Sequence, residues 1–141
     1  MLVTKTIEID MGHRVPNHKS KCRNFHGHRY VIEVGVDDVI QRKEGTSDEG
    51  MVIDFGDLKE KMMVIDRVFD HGFMMYRKDR YAKDFQRFKA DGMKIIFVDF
   101  IPTAENIAKF WFEKLKLVLE PVTLKYVKVF ETPTSSATYH E

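Results

Sequence analysis

The chain has 141 residues, of which 43% are hydrophobic and 32% charged, and 23 basic residues nearly balance 22 acidic ones. This length and apolar content predict one domain, residues 1–141, with a packed core. A net charge of +1 gives no reason to expect nucleic acid or a membrane as partner, and no apolar stretch is long enough to span a membrane. A single cysteine excludes an intramolecular disulfide and the N-terminus lacks the apolar stretch of a signal peptide, so we expect a cytoplasmic protein.

Alternating apolar and polar residues predict strands at 2–12 and 26–36, and we expect these two strands to form an antiparallel pair. A helix is predicted to begin after the N-cap Asp54 and to end at Gly72. Its buried face is marked by apolar residues at helical spacing, namely Phe55, Leu58, Met62, Ile65 and Phe69. Residues 73–92 are expected to be irregular apart from a candidate short helix at 79–89, and a short strand follows at 94–100.

Thr103 is predicted to cap a second long helix, which Pro121 ends. Residues 122–131 alternate as a strand, and the last ten residues allow a turn and a short final strand. This order of elements predicts an α+β fold, in which a four-stranded antiparallel sheet carries two helices on one face.

Two histidines in the second strand are the first candidates for metal ligands. Side chains on a strand alternate between faces, so His26 and His28 point to the same side of the sheet. His13, at the end of the neighbouring strand, is the expected third ligand, and three neutral imidazoles leave one position of a tetrahedral zinc open, as in catalytic sites. Two alternatives remain: ordinary strand histidines bonded to backbone or water, or His18 as a rival ligand.

The only cysteine, Cys22, precedes the two strand histidines in a polar, basic loop. It is either a fourth zinc ligand that closes a structural site, or a reactive thiol activated by zinc and by the neighbouring Lys21 and Arg23. Free cysteine is more often a small buried apolar residue, but this loop is a poor place for one.

The segment between Asp10 and Glu33 has no acidic residue. Its five basic residues are Arg14, Lys19, Lys21, Arg23 and Arg29. A solvated basic loop is the general expectation for such a run, but its overlap with the histidines favours a site for an anionic ligand.

Six motifs in this order resemble the 6-pyruvoyltetrahydropterin synthase superfamily, over nearly the whole chain. They are His13, Cys22, His26-Gly27-His28, Asp70-His71, Pro102-Thr103-Ala104-Glu105-Asn106 and Glu131-Thr132. The three residues between Cys22 and His26 resemble the 6-carboxytetrahydropterin synthase branch of queuosine biosynthesis. The turn after His71 and the long stretch 73–92 depart from the family pattern.

The resemblance implies the tunnelling fold, in which trimers close their sheets into a β-barrel and two trimers form a homohexamer with active sites between subunits. It also implies a lyase reaction in which 7,8-dihydroneopterin triphosphate gives 6-carboxy-5,6,7,8-tetrahydropterin, acetaldehyde and triphosphate. The first alternative is the 6-pyruvoyltetrahydropterin reaction, which eliminates triphosphate without breaking a carbon–carbon bond. The second alternative is a non-catalytic module that binds a pterin or a metal.

The resemblance further implies roles for single residues. Zinc would be held by His13, His26 and His28. Cys22 would be the general base, and Asp70 and His71 would form the companion proton relay.

Three further residues would line the substrate pocket. Glu131 would anchor the pterin by accepting two parallel hydrogen bonds, and Thr103 and Glu105 match a motif at the edge of the pocket. Each also has a purely structural explanation: a helix cap for Thr103, a first-turn acid for Glu105 and a solvated strand end for Glu131.

Overall fold

The computed structural model describes all residues, Met1–Glu141. A six-stranded sheet with strand order β4-β3-β1-β2-β5-β6 is covered by three helices. In chain order the elements are β1 Leu2–His13, β2 His26–Asp37, α1 Phe55–Phe69, β3 Phe73–Tyr76, α2 Ala82–Ala90, β4 Ile95–Val98, α3 Ala104–Leu119, β5 Leu124–Thr132 and β6 Ser135–His140. One turn of 3-10 helix, Lys21–Arg23, lies in the loop between β1 and β2. None of the helices has the length and apolar character needed to cross a membrane.

The antiparallel part of the sheet matches the prediction. β1 and β2 pair from Leu2 opposite Asp37 to His13 opposite His26. β5 pairs antiparallel with β2, and β6 pairs antiparallel with β5. The predicted four-stranded antiparallel sheet is therefore confirmed as β1-β2-β5-β6.

Two further strands extend this sheet, so the predicted strand number is wrong. β3 and β4 add at the β1 edge and run parallel to β1 and to each other. The β3 sequence FMMY is apolar throughout, since one face of β3 packs on the main core and the other on α2. It therefore lacks the alternation that identifies a half-exposed strand.

The helices lie on both faces of the sheet. α1 and α3 cover one face, as predicted, and bury Leu58 and Trp111 among others in the main core. α2 covers the opposite face of the β3–β4 edge, where Phe85 packs with Met75 and Ile95. The first residue of the predicted α1 stripe is an exception, because Phe55 is 52% exposed.

Both long helices begin with side-chain caps, as predicted. The Asp54 carboxylate accepts hydrogen bonds from the backbone N–H groups of Gly56 and Asp57. The Thr103 hydroxyl accepts one from the Asn106 N–H at 3.4 Å. These caps satisfy N–H groups that have no partner inside the helix.

Candidate active site

The register of β1 and β2 brings three histidines together. His13 pairs with His26, and Met11 pairs with His28, so all three imidazoles lie on the face covered by α1 and α3. One nitrogen from each ring lies within 4.8 Å of the other two. The strand pairing therefore places His13, the predicted third ligand, beside His26 and His28.

Gly27 allows this close pairing of the two strands. A Cβ at this position would lie 2.9 Å from the carbonyl oxygen of Met11 on the neighbouring strand. A side chain would therefore push apart the two strands that carry the histidines.

Backbone carbonyls orient two of the three rings. Nδ1 of His13 lies 2.7 Å from the carbonyl oxygen of Pro102, and Nδ1 of His26 lies 2.7 Å from that of Asn24. A carbonyl only accepts hydrogen bonds, so each Nδ1 carries the proton and each Nε2 keeps a free lone pair. This is the arrangement that outer hydrogen bonds impose on metal-binding histidines.

Burial favours the neutral form of two rings of the cluster, His13 and His28. Burial lowers the pKa of His13 to about 4, against the opposing hydrogen bond to Pro102. Burial also lowers the pKa of His28, against the opposing charge of Glu131. Nε2 of both rings is buried without a hydrogen-bond partner. Neutral imidazoles with unpaired nitrogens are the form that binds metal, so the donor set fits a divalent ion.

Glu131 reaches the same pocket from β5. Phe130 pairs with Ser136 and Thr132 pairs with Ser135, so Glu131 is the extra residue of a β-bulge. Its two carboxylate oxygens lie 3.6 Å from Nε2 of His28 and 3.8 Å from Nε2 of His13. Because His13 is neutral at pH 7, its contact with Glu131 is not an ion pair.

Tyr30 was missed from the sequence. Its ring contacts those of His13 and His28 edge-on, and its hydroxyl is buried without a hydrogen-bond partner. Burial, and then the nearby Glu131 and Cys22, raise the pKa of Tyr30, so the hydroxyl stays protonated. The signal was present in the spacing, because Tyr30 lies two residues after His28 and therefore shares its face.

Cys22 lies in the 3-10 turn of the loop between β1 and β2, is half-buried, and is near enough to Tyr30 to raise the pKa of that hydroxyl. Its carbonyl oxygen accepts a hydrogen bond from the Val15 N–H at 2.8 Å. The group of closely spaced ligand atoms consists of the three histidines and does not include Cys22. The geometry therefore gives no support to a closed structural site with Cys22 as fourth ligand, and none to the rival ligand His18.

Asp70 and His71 form the expected pair at the end of α1. Nδ1 of His71 lies 2.7 Å from Oδ2 of Asp70, while Oδ1 of Asp70 accepts a hydrogen bond from the Asp10 N–H at 2.9 Å. The hydrogen bond from the Asp10 N–H is the main cause of the lowered pKa of Asp70, and the hydrogen bond with His71 lowers that pKa further. His71 has a φ of 58°, a left-handed conformation that turns its ring away from the helix.

Within one chain, the Asp70–His71 pair is not in contact with the histidine cluster. The His71 side chain is 77% exposed and lines a cleft of about 460 Å³ that also includes Asp10, Arg29 and His28. The side chains of Asp10 and Arg29 project to the face of the sheet opposite the three histidine rings. The His71 ring therefore lies on the side of the sheet that carries Asp10 and Arg29.

The segment before α3 lies directly behind the cluster. The carbonyl of Pro102 orients His13, so its neighbour Thr103 is close to the site while it caps the helix. Glu105 is an exposed acid in the first turn of α3.

The basic residues of the β1–β2 region do not act as one anion site. Arg14 is buried against Asp79, and Arg29 pairs with Glu8 and Asp10. Arg29 is exposed but paired, whereas the exposed Lys19, Lys21 and Arg23 have no acidic partner. These three are therefore the unpaired cations available to the expected anionic ligand.

Comparisons with known proteins agree with this geometry. The family described as 6-pyruvoyl tetrahydropterin synthase matches residues 2–141. The 6-carboxy-5,6,7,8-tetrahydropterin synthase of Rickettsia conorii is 39% identical over 137 residues, covering 92% of this chain and 93% of that protein. The synthase of the same name from Haemophilus influenzae is 35% identical over 145 residues, with coverage of 99% and 98%.

Solved structures show the same fold. The 6-pyruvoyl tetrahydropterin synthase of Caenorhabditis elegans superimposes with a TM-score of 0.71 at 27% identity, covering 100% of this chain and 95% of that one. An uncharacterized protein from Wolinella succinogenes gives a TM-score of 0.81 at 26% identity, with coverage of 99% and 97%. The α+β tunnelling fold is therefore confirmed, and the chain belongs to the 6-pyruvoyl tetrahydropterin synthase family of enzymes.

Proposed function

We propose that this enzyme is a zinc-dependent 6-carboxytetrahydropterin synthase. It would convert 7,8-dihydroneopterin triphosphate and one water molecule to 6-carboxy-5,6,7,8-tetrahydropterin, acetaldehyde and triphosphate, in queuosine biosynthesis in the cytoplasm. The observation that carries the proposal is the convergence of three histidine nitrogens, two of them buried and without a protein partner, beside the carboxylate of Glu131. The names of the curated relatives support the carboxy product.

His13, His26 and His28 would hold the zinc ion. When bound, the metal would supply a Lewis acid for the side-chain oxygens of the pterin. The carbonyls of Pro102 and Asn24 keep the rings of His13 and His26 in the tautomer that this requires.

Cys22 would be the general base, because its thiol is half-buried beside the open end of the cluster. Asp70 would hold the proton on Nδ1 of His71, which leaves Nε2 free to exchange a proton with the substrate. A carboxylate that itself accepts a backbone hydrogen bond keeps the imidazole in one orientation.

The proposed assembly is a dimer of trimers with active sites between subunits. Two observations support it: the Asp70–His71 pair lies across the sheet from the ligands, and the sheet ends in unpaired strands at β4 and β6. Such edges are suited to pairing with another copy, which would bring the pair from one subunit to the cluster of the next.

Glu131 would anchor the pterin ring. Its carboxylate can accept two parallel hydrogen bonds from the N–H edge of the aminopyrimidinone. Thr103 and Glu105 would lie at the edge of this pocket, and the exposed Lys19, Lys21 and Arg23 would attract the triphosphate.

The test is incubation of the zinc-loaded protein with 7,8-dihydroneopterin triphosphate and identification of the products. The proposal expects acetaldehyde and 6-carboxytetrahydropterin in equal amounts, and no turnover by Cys22→Ala. A pyruvoyl product without acetaldehyde would instead assign the 6-pyruvoyltetrahydropterin reaction. Bound pterin without any product would indicate a binding module.

A further inference from the structure

The loop that carries Cys22 is fixed at few points. Residues 14–25 connect the ligand His13 to the ligand His26, and most of their side chains face solvent. Within the loop, the Val15 N–H donates to the carbonyl of Cys22 at 2.8 Å. The position of the Cys22 thiol therefore depends on the contacts between this loop and the rest of the fold.

Arg14 provides the main tie. Its Nε donates to Oδ2 of Asp79 at 2.6 Å, and its Nη1 donates to the carbonyl oxygen of Arg23 at 2.7 Å. The Arg14 side chain is 9% exposed and that of Asp79 is 0% exposed. The second oxygen of Asp79 accepts from the Tyr81 N–H at 2.9 Å, which fixes the carboxylate at the start of α2.

Aromatic side chains pack around the same Arg14–Asp79 pair. The guanidinium carbon of Arg14 lies 4.9 Å from the ring centre of Tyr81 and 5.7 Å from that of Phe25. Phe25, in the same loop, lies 5.4 Å from Tyr81 and 5.3 Å from Phe85 between ring centres. The residues on either side of Cys22 are thus docked on the β3–α2–β4 unit, residues 73–98.

We propose that Arg14 is a positioning residue. It holds the Cys22 turn beside the histidine cluster by bridging the Arg23 carbonyl to Asp79. The β3–α2–β4 unit serves as the platform for this bridge. The inference rests on the proposed role of Cys22 as base. Arginine is required because its fork donates in two directions at once, whereas the single ammonium of lysine is a compact point charge.

Two variants separate positioning from folding. Arg14→Lys keeps the positive charge beside Asp79 but cannot reproduce both hydrogen bonds. The double variant Arg14→Met with Asp79→Leu removes both buried charges together, so neither is left unpaired. The matched control is Arg77→Met with Asp99→Leu, an exposed ion pair at the same unit with Nε and Oδ1 2.8 Å apart.

The first readout is the rate at which iodoacetamide labels Cys22, followed on the peptide that carries the only cysteine because lysine amines also react at high pH. It is measured at pH 10, above the ordinary thiol pKa of about 8.5, so that the rate reports access. Both Arg14 variants are expected to react at least about threefold faster than wild type, because a released loop opens more often. The control should react at the wild-type rate.

The second readout is steady-state turnover of 7,8-dihydroneopterin triphosphate. Both Arg14 variants should lose at least about tenfold in kcat with little change in KM, since a displaced base slows the reaction but not binding. Bound zinc and the melting temperature of Arg14→Lys should stay near the wild-type values.

Unchanged alkylation, or a loss of zinc in parallel with activity, would overturn the assignment of Arg14. An inactive wild-type protein would instead count against the proposed function, and the alkylation rates would still decide whether Arg14 holds the loop.

Discussion

The two halves of the candidate site lie on opposite faces of one sheet and differ in how complete they are. In the histidine cluster, His13 is buried, His26 and His28 are half-buried, and backbone carbonyls of the same chain orient two of the three rings. The Asp70–His71 pair is equally well hydrogen-bonded, but its imidazole is 77% exposed. Metal binding should therefore be a property of the folded chain, whereas turnover should depend on a second subunit.

The largest effect is expected from removing a ligand. His26→Ala leaves two of three imidazoles, so zinc affinity should fall by more than about 100-fold and turnover should vanish. Zinc content after dialysis checks this, with His18→Ala as the matched control. If the His26 variant still bound one zinc ion per chain, the histidine cluster would not be the metal site.

The next largest effect tests whether each active site is built from one subunit or from two. Cys22→Ala and His71→Ala should each lose about 10²–10⁴-fold in turnover and keep their zinc, because the proposed mechanism assigns both to proton transfer and neither to the metal. When the two inactive proteins are mixed and allowed to exchange subunits, activity should partly return.

This recovery follows because a mixed assembly contains sites with an intact thiol from one chain and an intact His71 from the other. The control is each variant exchanged with itself, which should stay inactive. Absence of recovery after confirmed exchange would place both residues in the same chain's site.

A smaller effect is expected at the pterin anchor. Glu131→Gln should weaken pterin binding by about 1.5–3 kcal/mol, because a charged acceptor of two hydrogen bonds becomes a neutral amide. Titration of a pterin into the zinc-loaded protein measures this. Glu33→Gln is the control. Glu33 lies on the opposite face of the sheet, where its carboxylate accepts a hydrogen bond from the Tyr126 hydroxyl, so this variant should bind the pterin normally. Equal affinities of the two variants would exclude Glu131 from the pocket.

The smallest effect concerns stability and pH. The pKa of Asp70 is lowered in the folded state, so its ionised form stabilises the fold at any pH above the unfolded value of about 3.9. This contribution is lost as the pH falls through the lowered folded value. The free energy of unfolding of wild type should therefore exceed that of Asp70→Asn at pH 6, and the difference should shrink below pH 4. A difference independent of pH would show that the Asp70 charge does not contribute.

Much of the fold could be predicted because its main elements have a clear period. β1, β2 and β5 alternate, and α1 and α3 have apolar stripes and side-chain caps. β3 was missed because both of its faces are covered, so its four residues carry no alternation. Short parallel strands also depend on partners that are distant in sequence, and no local signal reports that pairing.

The convergence of the three histidines could be predicted for the same reason, since strand periodicity and an antiparallel pair are enough to bring His13 to His26. The hydrogen bond between Arg14 and Asp79 could not be found, because it joins residues 65 positions apart. The helix and second strand of the β3–α2–β4 unit were expected, but no local signal shows that this unit packs against the β1–β2 loop. The position of His71 on the far side of the sheet was also hidden, because it depends on how α1 ends against β1.

Glu131 points to the histidine face because of its place in the alternation of β5, where Val127 and Val129 lie on the same side. Because successive side chains on a strand point to opposite sides, deleting Phe130 would rotate the carboxylate to the face of Arg29. The direction of this proposed pterin anchor thus depends on the length of one strand, and a single-residue deletion would reverse it while leaving the three histidines in place.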